Sequence, residues 1–326
     1  MNPSLYLDHA ATSFPKPPTV SAAVQRWFET LGVSENRGDG SARTIVADVV
    51  ADVRARLARR CGVPRERVAF CSGATEALHL TFSGLLQRGH RVLTTDLEHN
   101  AVARPLAARA ANGEIELERI PVLPDGSLDL DVATARLREG RFDLLVFASA
   151  SNVTGLVVDA GALVEAARQH GCRTICDASQ SAGLLPLDFG ADIVVASAHK
   201  SLLGPPGLGF LAARPDVELT PTKLGGTGSG MASDRHPADW PRGMEAGTPN
   251  TPAIFGLQAS LDWIDERTEP SLLAHGLAWC DAFLDACSDV VETIALPPRD
   301  RRVPIVSLRS AEFDPAELGA MLAEQG

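Results

Sequence analysis

Short runs of β-branched and apolar residues alternate with longer helical patterns through the middle of the chain. The runs predict seven strands, at Arg67–Cys71, Arg91–Thr95, Ile115–Ile120, Asp143–Ala148, Arg173–Cys176, Asp192–Ala196 and Gly207–Ala212. Helices are predicted between them, at Ala74–Leu86, Ala101–Asn112, Asp131–Arg138 and Gly161–His170. This alternation is typical of α/β proteins and predicts a mostly parallel seven-stranded sheet with helices on both faces.

The pattern changes after Gln258 and indicates a smaller α+β unit. Its elements are predicted as helices at Ala259–Glu266 and Leu272–Ala286, strands at Val290–Leu296 and Val303–Arg309, and a final helix after Pro315. Two strands make a thin sheet, so we expect this unit to be incomplete. The chain therefore divides into a large domain, residues 21–257, and a small domain formed by residues 1–20 and 258–326.

Composition places the chain among globular proteins. Hydrophobic residues make up 45% of its 326 residues and charged ones 22%, and a net charge of −11 argues against a nucleic-acid partner, which requires a concentrated basic surface. There is no apolar stretch of about 18 residues, and the first residues lack a basic region followed by an apolar one. We therefore expect a soluble, cytoplasmic protein with no membrane partner.

The cysteines give no sign of metal or disulfide-exchange chemistry. None of the six is spaced as C-x-x-C, so no metal site is predicted. Cys71, Cys172 and Cys176 lie in or beside apolar strands, and we expect them to be buried, unreactive thiols.

Distinctive polar segments follow five of the predicted strands. They are Ser72-Gly73-Ala74-Thr75-Glu76, Asp96-Leu97-Glu98-His99-Asn100, Ser149-Ala150-Ser151-Asn152, Asp177-Ala178-Ser179-Gln180 and Ser197-Ala198-His199-Lys200. In open α/β sheets, ligands bind beyond the carboxyl ends of the strands. We therefore expect the five segments to converge on one ligand.

Two of these segments offer groups for a phosphate and for a cation. Ser72–Thr75 opens a predicted helix, where backbone N–H groups and the Thr75 hydroxyl suit a phosphate, although it matches neither a Walker loop nor a dinucleotide-binding turn. Asp177 ends an apolar strand, where an unpaired carboxylate is costly, so it should face a cation such as a protonated pyridine nitrogen. Both segments could instead simply cap helices.

Lysine is scarce in this chain, which gives Lys200 special weight. Only three of the 30 basic residues are lysines, and Lys200 stands just beyond the strand Asp192–Ala196. A guanidinium replaces an ammonium as a surface cation, but it cannot serve as the amine of a Schiff base. Lys200 is therefore either a Schiff-base lysine or a charge at a strand end.

His99 could stack on a ring or cap its helix, and Gln180 and Asn152 offer neutral hydrogen bonds.

Together these residues match a known family. From Leu5 to Gln258 the chain resembles the class V aminotransferase-like enzymes that depend on pyridoxal 5'-phosphate (PLP), and most closely the cysteine desulfurase and selenocysteine lyase family. The matching motifs are Tyr6-Leu7-Asp8-His9-Ala10-Ala11-Thr12, Ser72-Gly73-Ala74-Thr75-Glu76-Ala77, Glu98-His99-Asn100, Ala150-Ser151-Asn152-Val153-Thr154-Gly155, Asp177-Ala178-Ser179-Gln180, His199-Lys200 and Glu245-Ala246-Gly247-Thr248. The resemblance implies the fold of PLP-dependent transferases of fold type I.

The resemblance also implies roles around the cofactor ring. Lys200 would be the catalytic residue and would hold the cofactor as a Schiff base. His99 would stack on the pyridine ring, Asp177 would keep the ring nitrogen protonated, and Gln180 would bond the phenolic oxygen.

Other matching residues would bind the phosphate or the substrate. The resemblance implies a phosphate site formed by Ala74, Thr75, Ser197 and His199. Asn152, with backbone near Ala10 and Ala11, would lie beside the cofactor and help place the amino-acid substrate. Thr248 would reach the phosphate of a neighbouring subunit, so the expected working form is a homodimer.

The implied reaction removes sulfur or selenium from L-cysteine or L-selenocysteine and leaves alanine, with a sulfur-acceptor protein as a further partner. The family's sulfur-accepting cysteine and substrate-carboxylate arginine would follow Gly326, and none of the six cysteines occupies the matching position. Either the chain is a fragment of a longer enzyme, which the incomplete small domain favours, or the protein lacks these elements. Gly40-Ser41 stands where relatives often carry a loop histidine.

Two other interpretations stay open. One is another class V reaction, such as aminotransfer or epimerisation, which needs Lys200 but no sulfur-accepting cysteine. The other is a non-catalytic protein that keeps the fold as a dimeric partner.

Overall fold

A seven-stranded sheet forms the centre of the protein in the computed structural model, which describes residues 6–33, 40–228 and 234–325. Its strands are β1 (Val68–Cys71), β2 (His90–Thr95), β3 (Ile115–Ile120), β4 (Leu144–Ala148), β5 (Arg173–Asp177), β6 (Ile193–Ser197) and β7 (Gly209–Ala213). They are ordered β1-β7-β6-β5-β4-β2-β3 across the sheet, and β7 runs antiparallel to both of its neighbours. The predicted mostly parallel α/β sheet is confirmed.

Helices flank the sheet and continue beyond it. They are α1 (Pro18–Arg26), α2 (Ser41–Cys61), α3 (Ala74–Leu85), α4 (Asn100–Ala111), α5 (Leu130–Arg138), α6 (Ala160–Gln169), α7 (Thr251–Arg267), α8 (Glu269–Cys287) and α9 (Pro315–Gln325). A π-helical turn, Trp27–Leu31, follows α1, and short 3-10 turns lie at Arg65–Arg67, Arg242–Met244 and Arg299–Arg301. The sequence did not predict α1 or α2. In α2, the buried Arg54 and Arg56 interrupt the apolar stripe that identifies a helix.

The sheet buries an apolar layer on each face. Strand β4 illustrates the alternation, because Leu145 and Phe147 point into the layer covered by α2, α5, α6 and α7. Leu144 and Val146 point into the opposite layer, covered by α3 and α4. Side chains of a strand alternate between faces, so a strand buried on both sides is apolar throughout. Helices on both faces are therefore confirmed.

The last part of the chain contains less strand than predicted. Strands β8 (Glu292–Thr293) and β9 (Leu308–Arg309) form a two-residue antiparallel ladder. Ala295 adopts a positive φ of 46° that ends the first strand, and Pro304 lacks the N–H that a ladder needs in the second. The domain division at residue 257 stays a prediction, and that position lies inside the continuous helix α7. In the part of the chain that the structure describes, no helix is long and apolar enough to cross a membrane.

Candidate functional site

A cavity of about 480 Å³ lies beyond the carboxyl ends of the central strands. Eight of the predicted cofactor residues line it: Ala74, Thr75, His99, Asn152, Asp177, Ser197, His199 and Lys200. The remaining lining residues are Asp8, Ala10, Ala11, Ala101 and Ser179. The expected convergence follows from the topology, because β1, β2, β4, β5 and β6 all end at the same edge of the sheet.

One end of the cavity is the N-terminus of α3. Its N-cap residue is Gly73, which has no side chain, so the Ser72–Thr75 turn supplies no side-chain cap of its own. Ser197 Oγ accepts a hydrogen bond of 3.0 Å from the Ala74 N–H, which fixes the helix end against β6. Gly209 permits this approach, since a Cβ there would lie 2.6 Å from Gly73 Cα. The N-terminus of α3, which its own N-cap residue leaves without a side-chain cap, can receive an anion.

Asp177 places an almost buried carboxylate on the cavity floor. Its side chain is 6% exposed, and Oδ1 accepts a hydrogen bond of 2.9 Å from the Ser179 N–H. Within the described ranges, no lysine, arginine or histidine nitrogen lies within 4.0 Å of the carboxylate. A buried carboxylate is costly without a cation, so this group suits a positively charged ligand atom.

Lys200 differs from the other two lysines in its surroundings. Lys16 Nζ donates to Ser13 Oγ and Lys223 Nζ donates to Glu76 Oε1. Among the residues with described positions, the Lys200 amine makes no hydrogen bond and no ion pair, although it lines the cavity. An amine that is not engaged in such contacts is available for covalent chemistry.

His99 caps α4 and also lines the cavity. Its Nδ1 accepts a hydrogen bond of 3.1 Å from the Ala101 N–H, and since a backbone N–H can only donate, the neutral ring carries its proton on Nε2. Burial and then the charge of Lys200 lower the pKa of His99. A neutral His99 ring can therefore cap the helix and stack on another ring at the same time.

Gln180 lies outside the cavity lining. Its side chain is 5% exposed, and Nε2 donates a hydrogen bond of 2.9 Å to the Ala10 carbonyl. The amide thus fastens the N-terminal segment, which brings Ala10 and Ala11 to the cavity as expected. A bond from Gln180 to a cofactor oxygen stays a prediction.

Thr248 is exposed and lines a separate, smaller cavity of about 130 Å³. Its loop is anchored by Glu245, whose carboxylate receives Arg54 Nη1 at 2.6 Å, Arg54 Nη2 at 3.1 Å and the Phe70 N–H at 2.6 Å. Arg54 also lies over the Phe70 ring. This network joins α2, β1 and the loop, and Thr248 does not line the cavity that contains Lys200 of its own chain.

Removal of Arg54 should destabilise the protein. The side chains of Arg54 and Glu245 are 11% and 15% exposed, so Arg54→Met leaves a poorly hydrated carboxylate without its cation. We expect a loss of about 3 kcal/mol in the free energy of unfolding, measured by urea denaturation. Arg65→Met, which breaks an exposed pair with Glu66, is the control and should cost less than about 0.5 kcal/mol. Equal losses in the two variants would contradict the anchoring role.

Four of the six cysteines are buried thiols, and the other two, Cys280 and Cys287, are partly exposed. Cys71, Cys172 and Cys176 are buried as predicted, and burial raises the pKa of each, for Cys172 to about 12. Cys61 is buried too, with its pKa raised to about 12. None of the six lines the main cavity. No cluster of three or more possible metal ligands occurs among the residues that the structure describes.

Two residues near the site received no role from the sequence. Glu98 buries its Oε2 below the strand ends, and Lys16 bonds to the His199 carbonyl. The scarcity of lysine that drew attention to Lys200 applies equally to Lys16, so the sequence could have marked Lys16 for attention as well. Nothing in the sequence indicates that one oxygen of Glu98 is cut off from water, because burial of a single atom depends on packing.

Similarity to known proteins agrees with this geometry. The sequence model of the family Aminotransferase class-V matches residues 5–326. A cysteine desulfurase of Klebsiella pneumoniae subsp. pneumoniae is 30% identical over 99% of this chain and 82% of its own length, and one of Frankia sp. is 34% identical over 78% of this chain and 61% of its own. The apo structure of a cysteine desulfurase from Thermococcus onnurineus NA1 superposes with a TM-score of 0.87 at 25% identity, covering 98% of this chain and 82% of that one. The chain belongs to the class V aminotransferase family, within which it is related to the cysteine desulfurases.

Proposed function

We propose that the chain is a PLP-dependent cysteine desulfurase, which removes sulfur from L-cysteine and leaves L-alanine. The observation that carries the proposal is one cavity that joins the amine of Lys200, which has no hydrogen-bond or ion-pair partner among the described residues, the buried carboxylate of Asp177 and the N-terminus of α3. The nature of the relatives supports the choice of reaction. We propose L-selenocysteine as a second substrate of the same site, because selenium leaves carbon as sulfur does.

Three groups of the cavity fit three chemically different parts of PLP. Lys200 would hold the aldehyde carbon covalently, and Asp177 would face the pyridine nitrogen, where a proton supplies the missing cation. The first turn of α3, with Ala74, Thr75 and Ser197, would receive the phosphate. Supporting this assignment, the buried carboxylate has no cation within the described residues, and the N-cap residue of α3, Gly73, provides no side-chain cap.

Further residues would complete the binding of cofactor and substrate. We propose that the neutral ring of His99 lies against the cofactor ring and that Gln180 uses its remaining amide hydrogen for the ring oxygen. Asn152, which makes no side-chain hydrogen bond in the described structure, would orient the amino acid. His199 would assist in binding the phosphate.

The residues of the chain have distinct tasks in the proposed reaction. When bound, PLP supplies an electron sink for the bonds broken at the Cα and Cβ atoms of the amino acid. Asp177 would keep a proton on the ring nitrogen through its negative charge. Lys200, once displaced by the substrate amine, would take the proton from Cα and return one to carbon. Overall, a carbon–sulfur bond breaks, the sulfur passes to an acceptor thiolate, and carbon gains the proton that makes alanine.

The acceptor thiolate is the part that the cavity does not supply. No cysteine among the described residues lines it, and the buried thiols have raised pKa values that disfavour the thiolate. This observation favours a second candidate function, a class V aminotransfer or epimerisation, which requires no thiolate. For the desulfurase, we propose that a thiolate outside the described residues takes the sulfur first.

The reaction can be tested by incubating the holoenzyme with L-cysteine and excess dithiothreitol, which serves as acceptor thiol. We expect alanine and sulfide in equal amounts, and neither product from protein stripped of cofactor. Alanine is measured by chromatography and sulfide by methylene blue formation. A keto acid without alanine would indicate aminotransfer, D-cysteine would indicate epimerisation, and either result would contradict the desulfurase.

We also propose a homodimer in which Thr248 completes the phosphate site of the partner subunit. Its exposure and its position outside the main cavity of its own chain support this arrangement. Residues 21–257 would form the cofactor-binding domain of each subunit. All six cysteines are free, which supports a reducing compartment such as the cytoplasm.

A further inference from the structure

The backbone carbonyl of His199 gathers donors from one short segment near the N-terminus. Lys16 Nζ lies 2.6 Å from this oxygen, the Ser13 N–H nitrogen 3.0 Å, and the hydroxyls of Thr12 and Ser13 both 3.1 Å. Lys200 directly follows this carbonyl in the chain. The segment from Thr12 to Lys16 is therefore tied to the backbone that carries the proposed catalytic lysine.

Lys16 is bound in a way that is unusual for a lysine. Its ammonium also donates to Ser13 Oγ at 2.6 Å, and Ser13 is only 4% exposed. No carboxylate oxygen of the described residues lies within 4.0 Å of it. Lysines normally keep the ammonium in water, whereas this one is half-buried against neutral oxygens, and the burial lowers the pKa of Lys16 to about 8. Hydrogen bonds to these oxygens have to offset that loss of hydration.

The residues directly before this segment form one wall of the main cavity. Asp8, Ala10 and Ala11 all line it. Side chains fasten the chain around this wall at three places. The Gln180 amide donates to the Ala10 carbonyl, the Tyr6 hydroxyl lies within hydrogen-bond distance of the Asp8 and Thr12 carbonyls, and Lys16 with its neighbours donates to the His199 carbonyl. The wall itself is a turn, in which the Asp8 carbonyl accepts from the N–H groups of Ala11 at 3.2 Å and Thr12 at 3.4 Å.

We infer that Lys16 is a positioning residue that holds the wall of residues 8–11 at a fixed distance from Lys200 and so determines the affinity for the amino-acid substrate. The inference rests on the proposed function, because it takes a free amino acid as the ligand. Lys16 has no hydrogen bond to Asp177 or to the N-terminus of α3 within the described structure. Its loss should therefore weaken substrate binding and leave cofactor binding intact.

Kinetics of L-cysteine desulfuration by the holoenzyme give the first test. Lys16→Met keeps an unbranched side chain without donors, and we expect KM to rise about tenfold while kcat changes less than about threefold. Lys16→Arg keeps a cation with donors and should stay within about threefold of the wild-type KM. Arg65→Met is the control for loss of an exposed cation, and its KM should be unchanged.

Two further measurements do not depend on sulfur release. Titration with L-alanine, followed by the visible absorption of the bound cofactor, should give a Kd about tenfold higher in Lys16→Met. Amide hydrogen exchange at residues 10–13 should be faster in the same variant and unchanged in β4 and β5. In wild-type protein, alanine binding without sulfide release from cysteine would refute the proposed function and still leave the role of Lys16 measurable.

The inference is overturned if Lys16→Met has normal cofactor absorption and an unchanged Kd for alanine. It is also overturned if Lys16→Met loses the cofactor, because that assigns Lys16 to cofactor retention. Ser13→Ala removes the second acceptor of Lys16 and should raise the alanine Kd about threefold. The double variant Lys16→Met/Ser13→Ala should have the same alanine Kd as Lys16→Met alone. If Lys16→Met does not fold, Ser13→Ala decides, and an unchanged Kd then overturns the inference.

Discussion

Borohydride treatment of the holoenzyme is expected to leave the cofactor permanently attached to Lys200, and Lys200→Ala should lower kcat by at least roughly 10³-fold. The amine of Lys200 lines the main cavity without a partner among the described residues, whereas Lys16 and Lys223 donate to neighbouring oxygens. An amine engaged in hydrogen bonds or an ion pair is less available as a nucleophile. Peptide mapping by mass spectrometry identifies the labelled lysine.

A charge-preserving variant separates covalent chemistry from electrostatics. Lys200→Arg keeps the positive charge at the cavity but cannot form the covalent link, so both labelling and activity should be lost. Lys223→Arg, which retains the pairing with Glu76, should still be labelled at Lys200. Label on Lys16 or Lys223, no label in the wild-type protein, or an active Lys200→Arg variant would refute the assignment.

Glu98→Gln is expected to stabilise the protein increasingly as the pH rises. Glu98 Oε1 accepts hydrogen bonds from the Thr95 hydroxyl at 2.6 Å and the Ala148 N–H at 3.0 Å, which join the ends of β2 and β4. Although the residue as a whole is partly exposed, its Oε2 is out of contact with solvent and has no hydrogen-bond partner among the described residues. A glutamine carbonyl can accept both bonds, and it carries no charge.

The sign of the effect follows from the pKa of Glu98. Burial, reinforced by the negative charge of Asp177, raises this pKa from its ordinary 4.5 to about 8. An acid with a raised pKa binds more protons in the folded than in the unfolded state, so stability falls as the pH rises from about 4.5 to about 8. Each pKa unit corresponds to about 1.4 kcal/mol, and the difference between Glu98→Gln and wild type should therefore grow by roughly 3 to 5 kcal/mol across this range.

Urea denaturation at several pH values measures this difference directly. Subtracting the wild-type curve removes the titration of all other groups, provided that they are unaffected by the substitution. Glu66→Gln is the matched control, because Glu66 is exposed and the pKa of its carboxyl is lowered by Arg65, so it should show no growing difference above pH 5. A constant difference between Glu98→Gln and wild type would mean that Glu98 ionises normally in the folded protein.

Much of the fold could be predicted from the sequence because strands buried on both faces are apolar throughout. Phe147 and its neighbours in β4, for example, form an apolar run that ends where polar chemistry begins at Ser149. Helix α2 could not be predicted in the same way, because Arg54 and Arg56 place charges where an apolar stripe is expected. Their partners, Glu245 for Arg54 and Asp262 and Asp265 for Arg56, are about 190 to 210 residues away along the chain.

The sequence by itself determined which residues gather at the sheet edge, since the strand directions of an α/β fold bring Asp177 and Lys200 to the same side. It also determined the family, through motifs whose spacing survives without the structure. Only the tertiary structure decided which side chains have partners. The lone amine of Lys200, the buried oxygen of Glu98 and the bond from Lys16 to the His199 carbonyl all depend on contacts between distant segments. Hydration of a charged group is set by the packing around it, and that packing cannot be predicted from a local sequence pattern.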